Sequence, residues 1–416
     1  MKGLKGALMF AQSGGPTSVI NASAAGVFIE GLNSKEITAV YGAAHGIRGI
    51  LEEEFYDISK EDIKELELLK TTPSSALGSV RYKLKDASVD DTDYKRLLEV
   101  FKKYDVRYFF YNGGNDSMDT CNKISKYMAK SGYEMNVIGV PKTIDNDLYG
   151  TDHCPGFASA AKYIATTIME INLDAKVYDT PMVCVIEAMG RNAGWLTASA
   201  ALANYKGLGA DLIYLPEIDF DIDKFVKDVK DTCAKNNNKC IAVVSEGIHD
   251  KNGKLICEVL GETGARDSFG HAQLGGVAAS LANLIKKETG YKTRAVELSL
   301  MQRCAAHSAS ATDIEETFNA GKTAVKAAVS GETDKMVCYE RKAGEKYECE
   351  YKLLPLELAA NTEKTVPMEW IINNGTGISD EFVKYALPLI QGEVDMKKED
   401  GLPRFAKLKK ILVEKR

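Results

Sequence analysis

The chain is short of the residues and runs that mark several common functions. Its five histidines include no H-E-x-x-H. Its nine cysteines, at 121, 154, 184, 233, 240, 257, 304, 338 and 349, make no C-x-x-C pair. Zinc and thiol-redox motifs therefore lack support. No apolar run reaches the ~18 residues that a membrane-spanning helix needs, and Met1–Leu4 lead straight into a strand-like run rather than a signal peptide. There is no G-x-G-x-x-G, so a nicotinamide-binding domain lacks its fingerprint. Gly321-Lys322-Thr323 looks like the tail of a phosphate-binding loop, but Glu316 stands where its first glycine belongs, so the stretch reads as helix surface. No fixed-period repeat or low-complexity tract interrupts the chain. A net charge of −6 gives no reason to expect nucleic acid or a membrane surface. An anionic substrate would have to be held by local Lys and Arg against an acidic background.

What is present is a long, ordinary globular sequence. Its 416 residues suggest two or three domains. The hydrophobic fraction of 45% and charged fraction of 27% are those of a soluble protein. Several cysteines fall in apolar runs, Cys184 and Cys240 among them, which suggests reduced core thiols and a cytoplasmic setting. Strand-like and helix-like stretches alternate. Residues 7–11, 106–111, 137–140, 183–186 and 241–244 read as buried strands, and Met118, Cys121, Ile124 and Met128 recur at helical spacing, with Ser117 able to cap the first turn. Asn236-Asn237-Asn238 reads as a surface loop, and 331–352 as a charged, irregular surface stretch. The alternation argues for an α/β fold with parallel sheets covered by helices on both faces.

The chemistry gathers where these strands stop. Ser13-Gly14-Gly15, Gly113-Gly114-Asn115-Asp116-Ser117 and Lys142-Thr143-Ile144-Asp145-Asn146-Asp147 each follow an apolar run. In a parallel sheet such turns lie at the carboxyl ends of strands, where ligands bind. Glycine amides ahead of a helix suit a phosphate. A helix start with an acid in its first turn accounts for Asp116 and Ser117, but not for the glycine pair before them. Asp145 and Asp147, two apart on an extended turn, point the same way. One can take a proton from a hydroxyl while the other helps hold a metal, and Lys142 supplies positive charge to phosphate oxygens. Gly190-Arg191 and Glu246 follow two further strands, where Arg can grip a phosphate and Glu can accept from sugar hydroxyls.

Taken together, Ser13-Gly14-Gly15, Ser79-Val80-Arg81, Gly113–Ser117, Thr143–Asp147, Met189-Gly190-Arg191, Ser245-Glu246-Gly247, Phe269-Gly270-His271 and Gln302-Arg303 resemble the phosphofructokinase family, in the family's order and over ~300 residues. The resemblance implies two Rossmann-like parallel-sheet domains with a C-terminal extension: 1–157 plus 302–353 for the phosphoryl donor, and 158–301 plus 354–416 for the sugar phosphate. It implies Asp145 as the base on the 1-hydroxyl of fructose 6-phosphate, Thr143, Met189, Gly190, Arg191 and Glu246 as sugar-phosphate contacts, and Arg303 and Arg294 on the 6-phosphate, the latter with the option of coming from a neighbouring subunit. It puts Gly14, Gly15, Gly114 and Ser117 at the donor, Arg81 on the transferring charge, and Mg²⁺ at Asn115 and Asp147. ATP-using members usually carry Gly-Gly-Asp-Gly-Ser and Pro-Gly-Thr-Ile-Asp. Here Asp116 and Lys142 replace the glycines, crowding the α-phosphate of ATP and offering charge to a smaller donor, as in the pyrophosphate-dependent members. The C-terminal 366–371 and 385–393 also look like that branch. The implied reaction is reversible transfer from pyrophosphate to fructose 6-phosphate by a homodimer or homotetramer. An ATP-dependent kinase, a kinase also acting on sedoheptulose 7-phosphate and a non-catalytic sugar-phosphate-binding subunit remain as alternatives. Three positions depart from the family: Asn115 stands for a magnesium-binding Asp, Leu300 for a His on the sugar phosphate, and Met182 for an Arg from the adjacent subunit.

Overall fold

A computed structural model describes residues 4–261, 276–360 and 362–415. The sequence match Phe269-Gly270-His271 lies outside the described residues. In chain order the main strands are β1 (Gly6–Gln12), β2 (Ile37–Ala43), β3 (Phe55–Asp57), β4 (Val106–Gly113), β5 (Asn136–Pro141), β6 (Met182–Ala188), β7 (Leu212–Tyr214), β8 (Lys239–Ser245), β9 (Lys292–Glu297), β10 (Lys335–Arg341) and β11 (Cys349–Pro355). They form two sheets. One has the order β11-β10-β5-β4-β1-β2-β3, and the other β7-β8-β6-β9. The second is parallel throughout, while the first has an antiparallel strand at each edge, β3 and β11. The central strands are buried along their whole length, which is why they read as continuous apolar runs rather than alternating ones.

Each strand expected from sequence is present, and helix Asn115–Lys130 buries Met118, Cys121, Ile124 and Met128 as their spacing requires. Ser117 does not cap that helix. Gly114 occupies the cap position, and Ser117 is buried one turn in, against the strand end. The stretch 331–352 is not irregular surface. It holds β10 and the start of β11, with Met336, Val337, Cys338 and Tyr339 buried and charges such as Lys352 and Glu340 paired across the hairpin at 2.6 Å. Its charges disguised a strand because they occupy the solvent face of an edge hairpin.

Gly321 is also not at the helix surface. It lies in helix Ala311–Val329, where a Cβ would come within 2.3 Å of the Ser23 carbonyl on helix Ile20–Asn33. The glycine lets two helices cross at backbone contact.

The C-terminal stretch contributes to both cores. Leu356 and Ala359 belong to the core under the first sheet, whereas Val366, Phe382, Val383, Ala386 and Leu389 join the core of the second. Residues beyond 403 return to the first sheet. Leu412 pairs with Tyr56, and the Val413 amide donates to the Phe55 carbonyl at 2.9 Å. A segment expected wholly with the second unit thus straps both. All nine cysteines are free thiols, and seven of them are buried.

Candidate active site

Strands β1, β4 and β5 are neighbours, so their carboxyl ends meet. Gln12 registers with Asn112, and Gly113 with Pro141. Backbone bonds carry this register into the turns: the Ser13 amide donates to the Asn112 carbonyl, and the Lys142 amide to the Gly113 carbonyl, both at 2.9 Å. Gly113 is explained by packing, since a Cβ there would stand 2.0 Å from Ser117 Oγ. Gly114 is different. A Cβ would meet only ordinary contacts, and the glycine opens onto a cleft.

That cleft, of about 670 Å³, is lined by Ser13, Gly14, Gly15, Arg81, Gly114, Asn115, Asp116, Ser117, Lys142, Thr143, Asp145 and Asp147. The structure therefore brings the expected donor, metal and base residues to one place. The glycine loop does so without a helix N-terminus, because the following helix begins only at Ile20. Ser79 Oγ instead ties the loop by donating to the Gly14 carbonyl at 2.6 Å. The turn bearing the aspartates is not extended as its spacing suggested. Asn146 sits at φ +55° and is buried, accepting from the Cys154 amide and donating to the Tyr385 hydroxyl. Turning Asn146 inward leaves Asp145 and Asp147 facing the cleft from either side of it.

Burial is the largest influence on the charges here. It pulls Lys142 down to about 8, against the opposing pull of Asp145 and Asp147. It pushes Asp145 well above the usual carboxylate range, with Asp147 and Glu246 adding to the push and Lys142 resisting it. The Asn115 side chain donates to Asp147 Oδ2 at 3.3 Å, while Asn115 Oδ1 and Asp147 Oδ1 are both buried without a hydrogen-bond partner. Two unpartnered oxygens on adjoining residues fit a hard cation that completes its shell with water and phosphate oxygens.

The facing wall comes from the second sheet. Ala188 registers with Ser245 at the ends of β6 and β8, so the loops after them touch. Gly190 turns at φ +123°, where a side chain would collide with the Ala193 carbonyl, and its amide donates to Glu246 Oε1 at 3.2 Å. The Met189 amide donates to Gln302 Oε1 at 3.0 Å, which holds the segment carrying Arg303 against this loop. The Arg303 guanidinium reaches within 3.1 Å of where a Cβ on Gly15 would stand, so the two walls meet. Burial also raises the pKa of Glu246, opposed by the Gly190 amide, Arg191 and Arg303.

Two expected residues do not join them on this chain. Arg294 lies exposed in the middle of the edge strand β9, opposite Cys184, and Leu300 is 54% exposed beyond its end. Met182 begins β6 at the far end of the sheet, where it lines a separate hollow of about 820 Å³. Glu363 was missed. It lines the cleft beside Asp145 and Asp147, and nothing in its sequence neighbourhood marks it, because tertiary packing alone delivers it.

One mixed and one parallel sheet bring their strand-end loops together where Arg303 approaches Gly15, beside a cleft lined by carboxylates, Lys142 and glycine amides, which is an α/β architecture suited to phosphoryl transfer. The chain belongs to the phosphofructokinase family, whose model matches residues 7–328. It is 45% identical over 412 residues to the pyrophosphate–fructose 6-phosphate 1-phosphotransferase of Halomonas elongata, covering 98% of this chain and 97% of that one. It is 46% identical to the protein of the same name from Xanthomonas campestris pv. campestris, covering 99% and 98%. The crystal structure of a pyrophosphate-dependent phosphofructokinase from Marinobacter aquaeolei superposes with a TM-score of 0.89 at 41% identity, covering 99% and 98%.

Proposed function

We propose that the protein transfers a phosphoryl group reversibly from pyrophosphate to the 1-hydroxyl of fructose 6-phosphate. The observation that carries this reading is the placement of Lys142 and Asp116 in the same cleft as Asp145. The Lys142 side chain is buried, and its Nζ stands 3.2 Å from where a Cβ on Gly14 would be, so it fills donor space with charge. Asp116 opens the helix Asn115–Lys130 at the cleft wall, where an α-phosphate would meet a carboxylate. A donor of two phosphates fits between them, and a nucleoside triphosphate meets repulsion.

In the proposed reaction Asp145 accepts the 1-hydroxyl proton as the sugar oxygen bonds to phosphorus. The bridging P–O bond breaks, and orthophosphate leaves. The raised pKa of Asp145 makes it a stronger base than a solvated carboxylate. Lys142 and Arg81 offset the charge of the transferring group, and the amides of Gly14, Gly15 and Gly114, with Ser117, orient the donor. Such catalysis is mostly positioning and electrostatics. Asn115 and Asp147 would hold Mg²⁺, which when bound neutralises charge on the donor oxygens. Thr143, Met189, Gly190, Arg191, Glu246 and Arg303 hold the sugar phosphate. Arg294, on the outer strand of its sheet, is assigned to the acceptor site of a neighbouring copy in a homodimer or homotetramer, and Leu300 to its margin. The presence of both Asp145 and Asp147 in the cleft favours a catalyst over a non-catalytic subunit.

Initial rates with pyrophosphate and with ATP, at matched fructose 6-phosphate and Mg²⁺, test the reading. Turnover with pyrophosphate far above that with ATP is expected. The reverse preference removes the donor assignment.

A further inference from the structure

Glu363 belongs to a short strap, 363–366, that joins the two walls of the cleft. On one side the Lys364 amide donates to the Asp147 carbonyl at 2.8 Å, Glu363 pairs with Leu148 as an antiparallel bridge, and Lys364 Nζ reaches the carbonyls of Thr151 and Asp152. On the other side Trp195 Nε1 donates to the Lys364 carbonyl at 2.9 Å. Glu217 Oε1 accepts from the amides of both Gly194 and Val366. The strap therefore ties the aspartate turn to the loop 189–195. Glu363 supplies the side-chain part of this tie. It lines the cleft, and its Oε1 accepts from Asn192 Nδ2 at 3.0 Å, one residue beyond Arg191. The backbone bonds of the strap hold whatever the side chain at 363. The bond to Asn192 does not, and of the strap's bonds to the loop 189–195 it lies nearest in sequence to Gly190 and Arg191.

We propose that Glu363 is a positioning residue for the sugar-phosphate acceptor: through Asn192 it fixes the loop carrying Gly190 and Arg191 at the distance from Asp145 that fructose 6-phosphate requires. This rests on the acceptor reading of that loop given above. A carboxylate held on the aspartate turn and bonded to the acceptor loop limits how far the two walls part, so losing it costs acceptor binding. The side-chain hydrogen bond of Glu363 goes to Asn192 on the acceptor loop, whereas the donor is assigned to Gly14, Gly114 and Lys142.

The test pairs steady-state kinetics with calorimetric binding of fructose 6-phosphate in the absence of pyrophosphate. A hydrogen bond to a charged acceptor, partly exposed, corresponds to about a fivefold effect. Glu363→Ala should weaken fructose 6-phosphate binding and raise its KM about fivefold, a larger change than in the KM for pyrophosphate or in kcat, which Glu363 can also affect through Asp145. Glu363→Gln, which retains an acceptor for Asn192, should recover most of the affinity. Asn192→Ala should match Glu363→Ala, and the double variant should be no weaker than either single one, because both remove the same bond. An unchanged affinity in Glu363→Ala overturns the proposal. So does a Glu363→Gln as weak as Glu363→Ala, which would make charge rather than positioning the cause, and so does a shift confined to pyrophosphate. If the parent protein itself fails to bind fructose 6-phosphate, the acceptor reading falls. Parent binding with no response in the variants removes the inference about Glu363 alone.

Discussion

Lys142 and Asp145 lie three residues apart and depend on each other. Burial disfavours the charge on each, and their mutual attraction recovers part of that cost. Removing one therefore affects the other as well as the reaction. Asp145→Ser should lower turnover by several orders of magnitude while fructose 6-phosphate binding, measured by calorimetry, changes little. A variant retaining a tenth of parental activity would remove the general-base role. The proposed role of Asp116 and Lys142 is in the choice of donor rather than in moving the proton. Replacing both by Gly restores the space that the ATP-using pattern has, and should lower pyrophosphate turnover while raising the ratio of ATP to pyrophosphate rates by at least about tenfold, a change of ~1.4 kcal/mol in relative barrier. An unchanged ratio would show that these side chains do not select the donor. Asn115 stands where the family usually has a magnesium-binding Asp. Its unpartnered Oδ1 beside that of Asp147 would let it share the proposed Mg²⁺ with Asp147 as an uncharged ligand.

At the scale of elements, strand ends decide the site. Asn146 is the clearest case: its αL conformation and two side-chain hydrogen bonds aim the aspartates on either side of it. Asn146→Ala leaves the Cys154 amide and the Tyr385 hydroxyl without these partners and strains the turn. It should cost about 2–3 kcal/mol of stability and lower kcat, read by chemical denaturation and initial rates. A loss under about 0.5 kcal/mol would mean that the turn is held by its backbone alone. The buried parallel strands were legible because a strand covered on both faces must be apolar throughout. The site turns were legible because Gly, Asp and Lys clustered directly after those strands. What the sequence concealed depends on contacts distant along the chain. The hairpin of β10 and β11 hid behind paired surface charges, Gly321 hid in an apparent helix surface, and Ser117 looked like a cap although Gly114 holds that position. Glu363 could not be read at all, since it reaches the cleft only after more than two hundred residues have folded between it and Asp145.

Across the whole molecule, a buried ionic cluster joins the elements behind the aspartate turn. His153 is sandwiched between Asp152 and Glu316, each at 2.8 Å, and Asp152 also receives Arg341 at 3.0 Å. Burial pulls the His153 pKa down, but the two carboxylates outweigh it, and the net direction is up. Asp152 is pushed up by burial, yet His153 and Arg341 bring it down to about 2. The signs follow from linkage. The His153 contribution to stability is complete below its unfolded pKa of about 6.5 and is lost as pH rises through the folded value. The Asp152 contribution is complete above about 3.9 and is lost as pH falls toward about 2. The raised carboxyls of Asp145 and Glu246 already lower stability as pH climbs above about 4, so the His153 part is read as a difference: His153→Gln should make the decline above about pH 6.5 shallower than in the parent. An alkaline decline identical in the variant would assign it to other groups.

The central claim is the transfer from pyrophosphate to the sugar hydroxyl, and phosphorus-31 NMR reads it most directly. With the purified protein, Mg²⁺, fructose 6-phosphate and pyrophosphate, the pyrophosphate resonance should be replaced by equal amounts of orthophosphate and a new sugar phosphate ester. Orthophosphate added to fructose 1,6-bisphosphate should regenerate pyrophosphate. A pyrophosphate signal that persists, while ATP under the same conditions is converted to ADP and the ester, would contradict the account.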